Sequence, residues 1–156
     1  MAHIRATWAG DRRFDSGRPD GPATPLDGAA EVAQSPVDGL LSALAACTGI
    51  DVVEILAKRR TPATRVTFDV IGTRAETVPR RVTRLEIDVA IDGAGIERAQ
   101  AERAIDLSLT RYCSVRASLD PAIPVTFRLT LNGSAGAAIE AGTIVGAQPG
   151  PGPIAA

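Results

Sequence analysis

The fold of this chain is decided by residues 35–60, which read SPVDGLLSALAACTGIDVVEILAKRR. Ser35 is a predicted helix N-cap, with proline at the first helical position and Asp38 three residues after the cap. Residues 39–50 carry no charged side chain, so the helix is apolar on all sides over three turns and has to be buried on most of them. A helix of about 25 residues is roughly 37 Å long. Because a small subunit cannot cover that length alone, we expect a partner subunit to share in its burial.

The segments around this helix predict an α+β domain with an antiparallel sheet packed around a buried central helix. Apolar and polar residues alternate in segments that predict strands with one buried face: residues 4–8, 65–70, 84–91 and 125–131. Residues 96–111 show the spacing of an amphipathic helix, and residues 15–34 predict a loop with a short strand at Thr24–Leu26. The remainder, residues 133–156, is rich in Gly, Ala and Pro and predicts a flexible tail after a single domain of residues 1–132.

The composition limits the kinds of molecule that this protein is expected to bind. The 156 residues fit one domain, and 45% of them are hydrophobic, which is enough for a core. The formal net charge of −1 creates no strong field to attract nucleic acid or an anionic membrane. We find no run of about 18 apolar residues that could span a bilayer, and the start MAHIRATWAGDRRF lacks the apolar region of a signal peptide. We therefore expect a cytoplasmic protein without nucleic-acid or membrane partners.

The chain has two cysteines, Cys47 within the long helix and Cys113 at a predicted bend. If they meet in space, they could act as an attacking and a resolving thiol, since cytoplasmic cysteines are rarely permanent disulfides. The alternative is that Cys47 is an inert, buried side chain, which the local residues by themselves favour. A reactive thiol needs a nearby cation. Helical neighbours supply none, so the candidates are the N-terminal arginines Arg12, Arg13 and Arg18.

Other kinds of catalytic site are disfavoured. His3 is the only histidine and lies near the terminus, so a triad based on histidine and a zinc site both lack ligands. Glycine-rich phosphate-binding motifs are absent. We therefore expect neither a metal nor a cofactor. The charged side chains closest in sequence to the cysteines are interpreted as solvated or ion-paired surface: Asp51, Glu54, Lys58, Arg111 and Arg116.

With these residues in view, the chain resembles the OsmC/Ohr superfamily, in particular its OsmC-like branch. The central-helix stretch of residues 35–60 resembles the family's first cysteine segment. Residues 74–93, RAETVPRRVTRLEIDVAIDG, and residues 104–121, AIDLSLTRYCSVRASLDP, resemble its second half. The resemblance runs from about Ser35 to Leu131 and puts both cysteines in the family's two cysteine contexts.

The resemblance implies a tightly intertwined homodimer and thiol-dependent reduction of organic hydroperoxides in oxidative stress defence. Cys47 would be the peroxidatic thiolate and Cys113 the resolving thiol. Attack on the O–O bond gives a sulfenic acid at Cys47, which condenses with Cys113 to a disulfide. A dithiol reductant such as a lipoylated protein would then reduce that disulfide by exchange.

The chain departs from the family pattern at one position. The better-studied branches pair an N-terminal arginine with a glutamate ten residues before the first cysteine, and here that position is Val37. Asp38 is one residue further, about 100° around the helix. The activating cation would be Arg12, Arg13 or Arg18, and their spacing does not choose among them. This departure supports a second hypothesis, in which a non-catalytic dimer of this fold binds an apolar small molecule at the subunit interface.

Overall fold

The computed structural model describes residues 1–144; residues 145–156 of the predicted tail lie outside them. The described elements follow in this order: β1 (Arg5–Trp8), β2 (Arg13–Gly17), β3 (Ala23–Asp27), α1 (Pro36–Lys58), β4 (Arg65–Arg74), β5 (Val82–Asp92), α2 (Arg98–Leu107), a π-helical turn (Ser108–Tyr112), α3 (Ser114–Ala117), β6 (Val125–Leu131) and β7 (Ser134–Glu140). They form two compact units, residues 1–43 and the chain from Leu44 onward. This α+β architecture with a long helix confirms the predicted fold class.

The first unit contains an antiparallel sheet in the order β1-β2-β3. The predicted strands at residues 4–8 and Thr24–Leu26 correspond to β1 and β3, whereas β2 lies partly in the segment interpreted as loop. The face of β1 predicted to be buried is exposed in the single chain: Ile4 and Trp8 expose 60% and 65% of their surface, and Phe14, which pairs with Trp8 on β2, exposes 43%. Alternation correctly indicated a strand, but burial depends on a second layer that residues 1–43 do not supply.

Asp27 organises the loop that leads from β3 into α1. Its buried carboxylate accepts hydrogen bonds from the backbone N–H groups of Ala29, Glu31 and Val32, at 2.9, 3.0 and 3.2 Å. These bonds favour the charged form and hold the pKa of Asp27 below its ordinary value of 3.8. The folded loop is therefore stabilised by the ionised carboxylate.

We expect Asp27→Asn to lower the melting temperature at neutral pH, since the amide offers one oxygen acceptor in place of two charged ones. Because the folded pKa is depressed, the stabilisation by Asp27 is fully present above the unfolded value of about 3.8 and is lost as the pH falls through the folded pKa. Melting curves of both proteins across that pH range should converge in acid. Asp20→Asn, in the exposed turn after β2, is the matched control. An equal effect of both substitutions, or a difference independent of pH, contradicts the prediction.

The start of α1 confirms the predicted cap. The Ser35 N–H donates to the Asp38 carboxylate at 2.9 Å, and the Asp38 N–H donates to Ser35 Oγ at 3.2 Å. This reciprocal pair is a capping box with aspartate in place of the usual glutamate, and it satisfies two backbone donors that the first turn leaves free. α1 runs from Pro36 to Lys58, close to the predicted extent.

The burial of α1 is one-sided in the single chain. A stripe at four-residue spacing is fully buried: Leu44, Thr48, Val52 and Leu56. Away from this stripe, Ile50 and Val53 expose 61% and 43% of their surface. The expectation of burial on most sides is therefore not met within one subunit.

By length and hydropathy alone, α1 would also suffice to cross a membrane, contrary to our expectation that no such run exists. The core helix of a soluble protein passes the same test. The capping box at its start and the buried stripe along it are features of a helix packed in a folded domain.

The second unit contains a sheet in the order β4-β5-β6-β7. β4 pairs antiparallel with β5, and β6 pairs antiparallel with β7, but β5 and β6 are parallel. The predicted antiparallel sheet is therefore mixed. The reason is the crossover between β5 and β6 through α2, the π-helical turn and α3, since parallel neighbours need such a connection. The apolar face of β5 is buried at Leu85, Ile87, Val89 and Ile91.

Residues 134–140, predicted as the start of a flexible tail, form β7. Asn132 and Gly133 have φ of 48° and 80°, as the central residues of a type I′ hairpin turn require. A strand at a sheet edge can be held by backbone hydrogen bonds, so its Gly and Ala content does not prevent pairing with β6. The Asn-Gly pair was the signal that could have predicted this hairpin.

Candidate functional site

Cys47 lies in the middle of α1, directly before Thr48 of the buried stripe. Cys47 is half-buried, and Thr48 is fully buried. Gly49 follows, and a Cβ atom at that position would lie 3.3 Å from the Phe68 ring of β4. The glycine thus allows α1 to pack closely on the sheet beside the cysteine.

Cys113 lies where the π-helical turn ends and α3 begins. The chain becomes extended at Cys113, with φ −67° and ψ 104°. Its sulfur accepts a hydrogen bond from the Arg116 N–H at 3.4 Å, so the thiol caps α3. It also accepts a bond from Thr48 Oγ1 at 3.6 Å. These contacts hold the Cys113 side chain, which is only 2% exposed, against α1.

The two cysteine side chains interact. Burial raises the pKa of the Cys113 thiol above its ordinary value of 9.0, and the neighbouring Cys47 raises it further by hydrogen bonding and by charge. The Arg116 N–H and the Thr48 hydroxyl act in the opposite direction, but they do not outweigh burial. Both thiols are free. The fold therefore brings the two predicted residues together as a buried thiol beside a more accessible one.

A cavity of about 480 Å³ lies next to Cys113. Its walls include Cys113, Leu109, Arg116, Ile123, Val125 and Glu140. The Arg116 side chain was predicted to be solvated or ion-paired, but its guanidinium binds backbone carbonyls instead. It donates to the backbone carbonyls of Asp120, Pro121 and Ile123 at 3.1–3.3 Å and so holds the wall formed by that loop.

The remaining predicted site residues lie in the first unit. Arg13 is on β2, and its guanidinium pairs with Asp11 at 3.2 Å. Arg18 is exposed in the turn after β2. Asp38 is part of the capping box of α1. Their predicted part in activating Cys47 stays a prediction.

Two polar residues near the cysteines were missed. Asp51, interpreted as surface beside Lys58, accepts a hydrogen bond from Ser108 at 2.7 Å, while Glu54 forms the expected pair with Lys58 at 3.5 Å. Asp51 follows Cys47 by four residues, so a carboxylate one turn away on the same side of an apolar helix was the available signal. No feature of the sequence indicated a role for Ser108. Within residues 1–144, no group of three or more His, Cys, Asp and Glu side chains is arranged to hold a metal ion.

The chain is similar to known proteins over most of its length. A family profile described as OsmC-like protein matches residues 28–128. Protein YhfA of Escherichia coli strain K12 is 32% identical over 123 residues, which cover 78% of this chain and 92% of YhfA.

Solved structures with low sequence identity share the fold. The crystal structure of an OsmC-like protein from Mycoplasma pneumoniae superimposes with a TM-score of 0.72 at 17% identity, over 84% of this chain and 96% of that one. The organic hydroperoxide resistance protein OhrB of Bacillus subtilis gives a TM-score of 0.58 at 14% identity, over 83% and 98% of the two chains. The family match over residues 28–128 includes both cysteine-bearing segments and the strands β4 and β5 that lie between them in sequence.

Proposed function

This chain belongs to the OsmC-like protein family, and from that premise we propose that it is a thiol-dependent peroxidase for organic hydroperoxides. The OsmC/Ohr superfamily is linked to peroxide and oxidative stress. A structural relative, OhrB of Bacillus subtilis, is an organic hydroperoxide resistance protein. The observation that carries the proposal is the position of the buried Cys113 sulfur against α1, where it accepts a hydrogen bond at 3.6 Å from Thr48, the residue that follows Cys47.

The proposed reaction has two steps in the protein. The Cys47 thiolate attacks one oxygen of the hydroperoxide; the O–O bond breaks, Cys47 becomes a sulfenic acid, and the alkoxide takes up a proton to leave as an alcohol. The Cys113 thiol then attacks the Cys47 sulfur, a disulfide forms and water leaves. Two electrons pass from the two thiols to the hydroperoxide. A dithiol, such as that of a lipoylated protein, returns both thiols by exchange.

The assignment of roles follows from exposure. The peroxidatic sulfur has to meet a substrate, and Cys47 is the more accessible of the two thiols. Cys113 is 2% exposed and its pKa is raised, so it is the poorer first nucleophile at neutral pH. A buried thiol beside the sulfenic acid suits resolution, because that step occurs within the chain and needs no access from solvent.

We also propose that Arg13 or Arg18 supplies the cation that activates Cys47, with Asp38 in place of the acid that orients it. The support is the family pattern of an N-terminal arginine that activates the first cysteine, for which Arg13 and Arg18 are the candidates in this chain. Asp38 is shorter than glutamate and bonds the Ser35 N–H. We therefore expect weaker activation of Cys47 than in branches with the glutamate.

A homodimer is the proposed assembly. Its support is the exposed apolar side of α1, where Ile50 and Val53 are open to solvent in the single chain. Exposed apolar area on a central helix is what a partner subunit would bury. A cytoplasmic location, expected from the composition, would supply the reduced dithiol.

The proposal is tested by titrating thiols in the reduced protein with cumene hydroperoxide. We expect one equivalent of peroxide to remove both thiols of each chain and to yield a protein two hydrogens lighter, in which a Cys47–Cys113 disulfide is found by peptide mapping. Cumyl alcohol should form in equal amount. An unchanged thiol titre at excess peroxide would overturn the proposal.

A further inference from the structure

We propose that Asp51 and Ser108 are positioning residues, which clamp the Cys113 segment to α1 at the place where the two thiols meet. This inference rests on the proposed function in one respect: the Cys47–Cys113 disulfide is an intermediate of the proposed peroxidase reaction. The clamp itself can be measured as the ease of forming this disulfide, without any peroxide.

The first part of the clamp is the side-chain bond. Ser108 is fully buried at the start of the π-helical turn, and its Oγ donates to Asp51 Oδ2 at 2.7 Å. A buried hydroxyl needs a partner, and a carboxylate is the stronger kind of acceptor. Because Asp51 is half-buried, water competes with this bond less than it would at an exposed site. The bond therefore links α1 and the π-helical turn at one defined register.

The second part is the backbone of the turn. The Cys113 N–H donates to the Ser108 carbonyl at 2.9 Å, which is the i to i+5 bond of a π-helix. Ser108 is thus held to α1 by its side chain and holds Cys113 by its main chain. Asp51 follows Cys47 by one helical turn, so the clamp connects the two cysteines through a short, rigid path. Single π turns often occur at functional sites.

The Thr48 hydroxyl shows how closely the register is defined. It reaches the Cys113 sulfur from α1 at 3.6 Å, next to Cys47 in sequence. A shift of the π-helical turn along α1 would break this contact and the Ser108 bond together. We infer that loss of the clamp lowers the fraction of time in which the two sulfurs are aligned, and with it the effective concentration of one thiol for the other.

The test is the equilibrium of the full-length chain with a glutathione redox buffer. Protein dithiol and glutathione disulfide give protein disulfide and two glutathione thiols, so the equilibrium constant reports the effective concentration. We expect Asp51→Ala and Ser108→Ala each to lower this constant by about tenfold, equivalent to about 30 mV. The double variant should be no worse than either single variant, because both remove the same bond.

A conservative variant and two controls separate positioning from stability. Asp51→Asn keeps an oxygen acceptor and should recover most of the loss. Ser118→Ala removes a hydroxyl bonded to the Ser114 carbonyl at 2.8 Å, and Glu54→Gln removes a charge of α1 paired with Lys58. Neither control should change the constant. If Ser108→Ala does not fold because Ser108 is fully buried, Asp51→Ala still tests the clamp, since Asp51 is only partly buried.

Melting temperatures of the reduced and oxidised forms complete the design. If Asp51→Ala lowers both equally and the constant is unchanged, the bond is only structural and the inference is overturned. A larger loss in the oxidised form, with the tenfold fall, supports the clamp. If the equilibrium constant falls in the Asp51→Ala variant but the wild-type protein consumes no peroxide, the clamp is supported and the peroxidase proposal is overturned. If the wild-type protein consumes peroxide but the constant of the variant is unchanged, the peroxidase proposal is supported and the clamp is overturned.

Discussion

Replacing Cys47 with serine should reduce the consumption of cumene hydroperoxide to the rate of buffer alone. A serine hydroxyl is not ionised at neutral pH and cannot reduce a peroxide by forming a sulfenic acid. The buried Cys113, with its raised pKa, should not take over. Peroxide is followed by a ferrous-dye assay in the presence of excess dithiol. Residual consumption equal to wild type would assign the reaction to another residue.

Cys113→Ser is the matched variant, since it removes the other thiol and leaves Cys47 in place. We expect it to consume one equivalent of peroxide quickly and to accumulate a sulfenic acid that dimedone traps at Cys47. Excess peroxide should then oxidise the unresolved cysteine to the sulfinic acid and inactivate the protein. Wild type should resist this inactivation, because Cys113 closes the disulfide first. Equal sensitivity of both proteins would contradict the resolving role.

Ile50→Glu should disrupt the proposed dimer. Ile50 is 61% exposed in the single chain and lies on the apolar side of α1. An unpaired carboxylate at an interface has to be desolvated, which is costly. We expect the dimer dissociation constant to rise roughly a hundredfold or more, corresponding to about 3 kcal/mol. Analytical ultracentrifugation should show wild type at twice the chain mass of 16.1 kDa and the variant at that mass.

Val78→Glu is the control for this substitution. Val78 is 91% exposed between β4 and β5, so a carboxylate there remains hydrated and should leave the mass unchanged. A monomeric wild type would refute the dimer. A dimer that Ile50→Glu does not weaken would place the interface elsewhere than on this side of α1.

Local signals in the sequence predicted the regular elements well. The cap of α1 depends on Ser35 and Asp38, which are three residues apart and need no distant partner. The alternating strands β4, β5 and β6 were likewise predicted from their period of two. Local signals misjudged β7, because an edge strand of Gly and Ala depends on pairing with β6 and not on its own side chains.

The site was only partly accessible to sequence reasoning. The resemblance predicted that Cys47 and Cys113 would meet, although α1 by itself favoured an inert Cys47. The roles of Thr48, Asp51 and Ser108 were not predicted. Their contacts join positions 57 to 65 residues apart in the chain, and no local pattern encodes such a separation.

By itself, the sequence of this protein determined the length, cap and apolar character of the central helix and the family to which the chain belongs. Helix caps and periodicity act over a few residues, so they can be read directly from the chain. Only the tertiary structure decided which face of α1 is buried, that β5 and β6 run parallel, and which side chains surround the thiols. Those properties depend on the packing of distant segments, where burial and hydrogen bonding set the environment of each cysteine.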